Sequence, residues 1–288
     1  MTDSEIDALR TQIERLGSVD SNGAQHDDVR DAIERLLDGL ETGSIRAAVR
    51  GADGRWIVNA WVKSGILAAF RLGRMSSFEC GPLSFVDLDT FAPRRFDEKG
   101  GVRIVPGGSA VRRGAHLGPG TICMPPSYVN VGAFVGERSM VDSHALVGSC
   151  AQIGDRVHLS ASVQIGGVLE PPGALPVIVE DDVFVGGGCG IYEGCIVRHG
   201  AVLAPGVILS RSTPVYDLAE ERVLRAQDGG PLEIPAGAVV VPGSRPASTE
   251  FARSEGISLY APVIVKYRDA ATDAATALED ALRKHGLN

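Results

Sequence analysis

A carboxylate and an imidazole stand two residues apart at Asp142 and His144, in the run SMVDSHALV (Ser139–Val147). A carboxylate can take up a proton and an imidazole can do so near neutral pH, so this pair could serve proton transfer. On residue type alone, the plainer reading of Asp142 is an aspartate that hydrogen-bonds its own turn. A single histidine is likewise more often structural, and His158 and His199 are alternatives to His144. Arg103, Arg112, Arg113 and Arg211 carry the planar fork that grips a carboxylate bidentately, although any one of them fits a solvated face. No metal-ligand spacing is present. The five cysteines (Cys80, Cys123, Cys150, Cys189, Cys195) are odd in number and lack CxxC spacing. They read as reduced thiols of a cytoplasmic protein, not as a disulfide or zinc framework.

What positions these residues is a repeat. From Val111 aliphatic residues recur every six positions through Leu117, Val129, Val135, Val141, Val147, Ile153, Leu159 and Ile165, with Cys123 in the series. After a break the rhythm resumes at Val179 and continues to Leu209. Two residues before each member lies a small or β-branched one, such as Ala133, Ser139, Ala145 and Ala151. A period of six fits neither a helix nor a flat strand. It predicts a stacked solenoid: each hexad supplies one strand and one corner, three make an 18-residue coil, and the aliphatic residue points inward on each of three faces. Asp142 follows the inward Val141, which places it at a corner of the prism. Glycines after the aliphatic member, as at Gly136, Gly148 and Gly154, relieve crowding where the chain turns.

The flanks differ. Residues 1–105 predict a small, mainly helical α/β domain. Ile6, Leu9, Ile13 and Leu16 form one helical stripe, and Val29, Ile33, Leu36, Leu37 and Leu40 form another, opened by Asp27 and Asp28 as cap candidates. Asp53-Gly54 predicts a turn between strands Ala47–Arg50 and Trp56–Val58, and a third helix is expected over Ala60–Arg71. Phe91–Gly101 reads as a charged connector. The prism is expected over 106–245, with insertions near 168–176 and 216–231. A cap over 246–288 would contain a strand at Ser258–Tyr267 and a helix at Thr272–Lys284. The 288 residues carry a net charge of −8, which argues against non-specific nucleic-acid binding. No apolar run reaches the ~18 residues of a membrane span, and the acidic, polar start does not read as a secretory signal.

The hexads are similar to those of the hexapeptide-repeat acyltransferases, and longer segments narrow the resemblance. SMVDSHALVGSCAQIG (Ser139–Gly154), VHLSASVQIGGVLEP (Val157–Pro171), STPVYD (Ser212–Asp217), PAGAVVVPGS (Pro235–Ser244) and SLYAPVIVKYRD (Ser258–Asp269) resemble the tetrahydrodipicolinate N-succinyltransferase family. So do WVKSGILAAFR (Trp61–Arg71) and VRIVPGGSAVRRGAHLGPGTICMPPSYVNVGAFV (Val102–Val135). The resemblance implies a mainly β protein, a left-handed parallel β-helix with a helical N-terminal domain and a small C-terminal strand/helix cap. It implies a homotrimer with active sites between neighbours. The reaction implied is succinyl transfer from succinyl-CoA to the amine of ring-opened tetrahydrodipicolinate, with no bound cofactor, no metal, and no nucleic-acid or membrane partner.

By the same resemblance Asp142 is the proton acceptor or amine-orienting group and Glu193 a further catalytic candidate; His144 is another, because other hexapeptide-repeat acyltransferases use a histidine base. Arg103, Arg112, Ser160 and Gly166 are candidates for substrate binding, and Gly167 and Lys266 for CoA. Two departures stand out. Gly190, in GGGCGIYEGCIV (Gly186–Val197), occupies a position where some members carry glutamate, and Ser143-His144 replaces their Thr-Trp. An acetyl-CoA donor is therefore an alternative expectation, and a non-catalytic prism scaffold is a second. A nucleotidyltransferase is disfavoured, because the N-terminal ~105 residues lack a glycine-rich nucleotide loop.

Overall fold

The structure, a computed structural model, describes residues 1–16, 26–227 and 229–269. Helix α1 (Asp3–Leu16) opens on a reciprocal cap: the Glu5 amide donates to Thr2 Oγ1, and the Thr2 amide donates to Glu5 Oε2. Helix α2 (His26–Thr42) begins a residue before the proposed cap pair, so Asp27 and Asp28 lie in its first turn and not at the position before it. Next come the hairpin β1 (Ala48–Arg50) and β2 (Trp56–Val58), then helix α3 (Ala60–Leu72). The three helices bury the expected stripes together: Leu9 and Ile13, Ile33, Leu36, Leu37 and Leu40, then Trp61, Val62 and Ile66. Gly65 permits the close approach of α3 to α2; a Cβ there would lie 2.3 Å from Leu36 Cδ2. A second hairpin, β3 (Met75–Cys80) and β4 (Leu83–Leu88), has no counterpart in the sequence reading. Its strands leave Met75, Leu83, Phe85 and Val86 exposed, so no buried alternation announces it.

The six-residue rhythm becomes strands two residues long, the first residue outward and the second inward. Face one holds Arg103–Ile104, Ile122–Cys123, Met140–Val141, His158–Leu159, Phe184–Val185 and Val202–Leu203. Face two holds Ala110–Val111, Tyr128–Val129, Leu146–Val147, Gln164–Ile165, Gly190–Ile191 and Ile208–Leu209. Face three holds His116–Leu117, Phe134–Val135, Gln152–Ile153, Ile178–Val179, Ile196–Val197 and Glu233–Ile234. Every ladder is parallel, coil on coil, as in Met140↔His158 and Leu146↔Gln164. The predicted inward series is buried except at Val111, which packs partly buried at the first coil. At ~1.5–3 kcal/mol for each buried aliphatic side chain, this column is the main source of the prism's stability. The prism starts a strand earlier than the six-residue series, at Arg103–Ile104, because Ile104 and Val111 are seven residues apart.

The glycines after the inward residue prove to be close-approach positions. A Cβ on Gly148 would stand 2.2 Å from the Gly167 nitrogen, and one on Gly136 2.5 Å from the Gly154 carbonyl carbon. Left-handed φ falls elsewhere in the corners, often on non-glycine residues, including His144 (φ 61°) and Glu193 (φ 51°).

The second insertion carries strands of its own. Val215–Asp217 and Arg222–Leu224 join face one through Ser258–Tyr267, which pairs antiparallel with the long strand Ala238–Pro246. Helix α4 (Glu250–Ser254) links those two strands. The helix expected at Thr272–Lys284 lies outside the described residues. The N-terminal domain covers face three. Arg46 lies 3.6 Å over the Phe134 ring and donates to Gln152 Oε1, and Trp56 Nε1 donates to Glu180 Oε1. Among the described residues no helix is long and apolar enough to cross a membrane.

Candidate active site

The chain order around the prism decides which candidates can meet. The corner between faces one and two carries Asp142, Ser143 and His144, with Ser160 one coil on. The corner between faces two and three carries Gly166, Gly167, Glu193 and Arg211. Asp142 precedes a face-two strand and Glu193 follows one, so the two stand on opposite edges of that face.

At the first corner Asp142 does two things. Its Oδ1 accepts from the Ser143 amide at 2.6 Å, which is the turn bond its residue type suggests. Its Oδ2 faces His158, whose Nε2 is 4.0 Å away. The Asp142 side chain is 30% exposed and that of His158 only 7%, so the carboxylate meets solvent on one side and a buried imidazole on the other. His158 is held edge-on against Phe184, with ring centroids 5.2 Å apart. The sequence names His158 only as an alternative. Its outward place on a face-one strand, directly laddered to Met140, brings it to Asp142. His144 is exposed, and its backbone does the turning: its amide donates to Pro126 O, and its carbonyl accepts from Gln164 Nε2. His199 stands at the third corner, 62% exposed and 3.6 Å from Asp182, away from this group.

The second corner opens into a cleft of about 930 Å³. Gly166, Gly167, Tyr192, Glu193 and Arg211 line it, and the inserted loop Val168–Leu175 forms one wall. Lys63, on α3, fixes that loop. Its side chain is fully buried, and Nζ donates to Ala174 O at 2.5 Å. Burial holds its ammonium pKa below the ordinary lysine value, with the Cys150 thiol acting weakly the other way. The sequence signal for Lys63 was a lone charge inside the apolar stripe WVKSGILAAF.

The remaining candidates are spread out. Arg112 Nη2 donates to both carboxylate oxygens of Asp87 (3.1 and 2.8 Å) and its guanidinium stacks over Phe91, which ties the hairpin to the first coil. Arg113 meets Glu34, Asp38 and Glu41 on α2. Arg103 is exposed on the first face-one strand. Lys266 pairs with Asp269 at 2.9 Å. Among the described residues no group of three or more His, Cys, Asp or Glu side chains could hold a metal ion.

A three-faced parallel β-helix of hexads, with a corner carboxylate and a cleft walled by an inserted loop, defines a hexapeptide-repeat transferase. A family model described as the tetrahydrodipicolinate N-succinyltransferase N-terminal region matches residues 8–72, and one described as the hexapeptide repeat of succinyl-transferase matches 176–211. The chain is 43% identical over 98% of its length to the 2,3,4,5-tetrahydropyridine-2,6-dicarboxylate N-succinyltransferase of Chelativorans sp., all of which is covered. It is 46% identical to the enzyme of that name from Acinetobacter baylyi, over 89% of this chain and 90% of that one. The Afipia carboxidovorans enzyme of that name is 44% identical, with coverages of 96% and 97%. The chain belongs to the tetrahydrodipicolinate N-succinyltransferase family. It is an acyltransferase built on the left-handed parallel β-helix.

Proposed function

We propose that this protein transfers the succinyl group of succinyl-CoA to the amine of L-2-amino-6-oxopimelate, the ring-opened form of tetrahydrodipicolinate, in diaminopimelate and lysine biosynthesis. The observation that carries the reading is the near-complete match to relatives bearing that name. The corner carboxylate supplies the chemistry. The amine attacks the thioester carbonyl carbon, a C–N bond forms, and the carbonyl electron pair moves onto oxygen. Asp142 Oδ2 takes the amine proton; Oδ1 is held by the turn, and His158 steadies the free oxygen. Collapse of the tetrahedral intermediate breaks the C–S bond and expels the CoA thiolate. The Gly167 amide, which has no backbone acceptor among the described residues, is available to the developing oxyanion or to pantetheine. Arg103 and Ser160 are assigned to the acceptor, Gly166 to close substrate approach and Lys266 to CoA. His144 stands beside Asp142 as a secondary proton carrier.

Asp142 and Glu193 come together only if copies pack. Face three is covered by the N-terminal domain, whereas faces one and two carry outward apolar residues that are not fully buried, such as Ile122 and Phe184, and Tyr128, Leu146 and Ile208. Packing those faces in a homotrimer sets the Asp142 corner of one copy against the Glu193 edge of its neighbour. Four of the five cysteines are free and buried, and Cys80 is free and exposed, which supports a cytoplasmic location.

The test is CoA-thiol release from succinyl-CoA and from acetyl-CoA, each with and without the amino diacid. Acceptor-dependent release that is faster with succinyl-CoA is expected. Release from acetyl-CoA alone overturns the donor, and no release from either overturns the reading.

A further inference from the structure

Tyr192 lies across two glycines on adjacent coils. A Cβ on Gly190 would stand 2.5 Å from Tyr192 Cε2 and 2.8 Å from its hydroxyl oxygen, and a Cβ on Gly166 would stand 2.9 Å from Cδ1. Gly166 and Gly190 therefore form a trough in which the ring is seated, running from the second corner back over face two. The outward space at position 190 is filled by a phenol borrowed from two residues on. Gly190 has ordinary backbone geometry, so φ does not demand glycine there; the ring does. The seated ring is half-buried and lines the cleft that also holds Arg211. Among the described residues the Tyr192 hydroxyl has no hydrogen-bond partner in the protein, and Arg211 has no ion-pair partner.

We infer that Tyr192 is a substrate-binding residue, whose hydroxyl donates a hydrogen bond to a substrate carboxylate that Arg211 also grips. This inference rests on the acyltransferase reading above. A phenol and a guanidinium lining the same half-enclosed cleft suit an anionic oxygen: both donate, and a carboxylate only accepts. Two substrates bring such a group, the succinyl end of the donor and the amino diacid, and they are separable by experiment. Acetyl-CoA lacks the terminal carboxylate.

The central test is Tyr192→Phe, which keeps the ring in its trough and removes only the hydroxyl. Loss of a hydrogen bond to a charged group should raise KM by about tenfold or more, with kcat less affected. If the succinyl carboxylate is bound, the preference for succinyl-CoA over acetyl-CoA falls by that factor. If the acceptor carboxylate is bound, the acceptor KM rises with either donor. Arg211→Met should shift the same parameter. An active wild type with Tyr192→Phe kinetics unchanged for all three substrates overturns the inference and leaves the acyltransferase reading standing; a wild type inactive with both donors overturns the latter.

Two further measurements need no turnover. Pimelate, a dicarboxylate probe, should raise the Tm of the wild type more than that of Tyr192→Phe; equal shifts count against the inference. Gly190→Ala should lower Tm in the Tyr192 background but not beside Tyr192→Val, where no ring occupies the trough. Equal effects in both backgrounds would remove the seat on which the inference depends.

Discussion

Asp142 shows how one side chain satisfies two readings at once. Its residue type suggests a turn, and Oδ1 makes that turn bond with Ser143; the second oxygen remains directed at His158 and solvent. Asp142→Asn can keep the turn bond, because an amide oxygen still accepts, while losing the proton-accepting carboxylate. Turnover should therefore fall ~10²-fold or more with Tm and assembly unchanged; full turnover would remove Asp142 from the mechanism. His158 acts through Asp142. His158→Gln is expected to lower kcat by roughly tenfold and to leave KM nearly unchanged, with an altered pH–rate profile. An unaltered profile would assign His158 to packing against Phe184 alone. His144 and Glu193 occupy left-handed turn positions on exposed corners, so their local geometry serves the turn whatever their side chains do.

The short strands tolerate no polarity on their inward side. Val147 is fully buried between Val129 and Ile165, its neighbours on the ladder. Val147→Asp would bury an unpaired charge, and a loss of several kcal/mol or failure to fold is expected by thermal denaturation. Wild-type stability would contradict the inward placement. The inserted loop depends on a different element. Lys63 of α3 reaches from the N-terminal domain to the Ala174 carbonyl, so the wall of the cleft is held from outside the prism. Removing a buried charge that has only a carbonyl partner can leave stability little changed. Lys63→Met should therefore raise KM severalfold through a loosened loop while Tm moves little. A large fall in Tm with unaltered KM would mark Lys63 as part of the fold and not of the site.

Over the whole molecule, the buried thiols set the alkaline limit of stability. Burial pushes Cys123, Cys150 and Cys195 from the ordinary 9.0 up to about 12. Between those values the unfolded chain has released protons that the folded chain keeps, so rising pH favours unfolding. Each thiol contributes a loss of ~1.4 kcal/mol per pH unit above 9. Lys63, Arg46 and Arg94, whose pKa values burial lowers, act in the opposite sense, while Cys189, Tyr260 and Tyr267, whose pKa values burial raises, act with the three thiols. Stability should fall steeply from pH 9 upward, and Cys195→Ala should flatten that fall; a chemical denaturation series across pH 8–11 reads both. Assembly is the other property of this scale. Scattering should give a mass three times 30.2 kDa. Leu146→Arg, on uncovered face two, should dissociate the copies and abolish activity together. A fully active monomer would show that the site is complete within one chain.

The hexad register, its inward residues, the three helices and the first hairpin could all be read from the sequence, because each is set by local periodicity and by apolar burial. The corner placement of Asp142 followed from the same count, since it comes directly after an inward valine. Folding alone decided the rest, because those relations are between residues distant in the chain. Ladder pairing put His158 beside Asp142, and packing of α3 carried Lys63 to the inserted loop. The order of faces separated Asp142 from Glu193. Two glycines on adjacent coils made a trough for Tyr192, whose contacts depend on distances across coils that no spacing along the chain specifies.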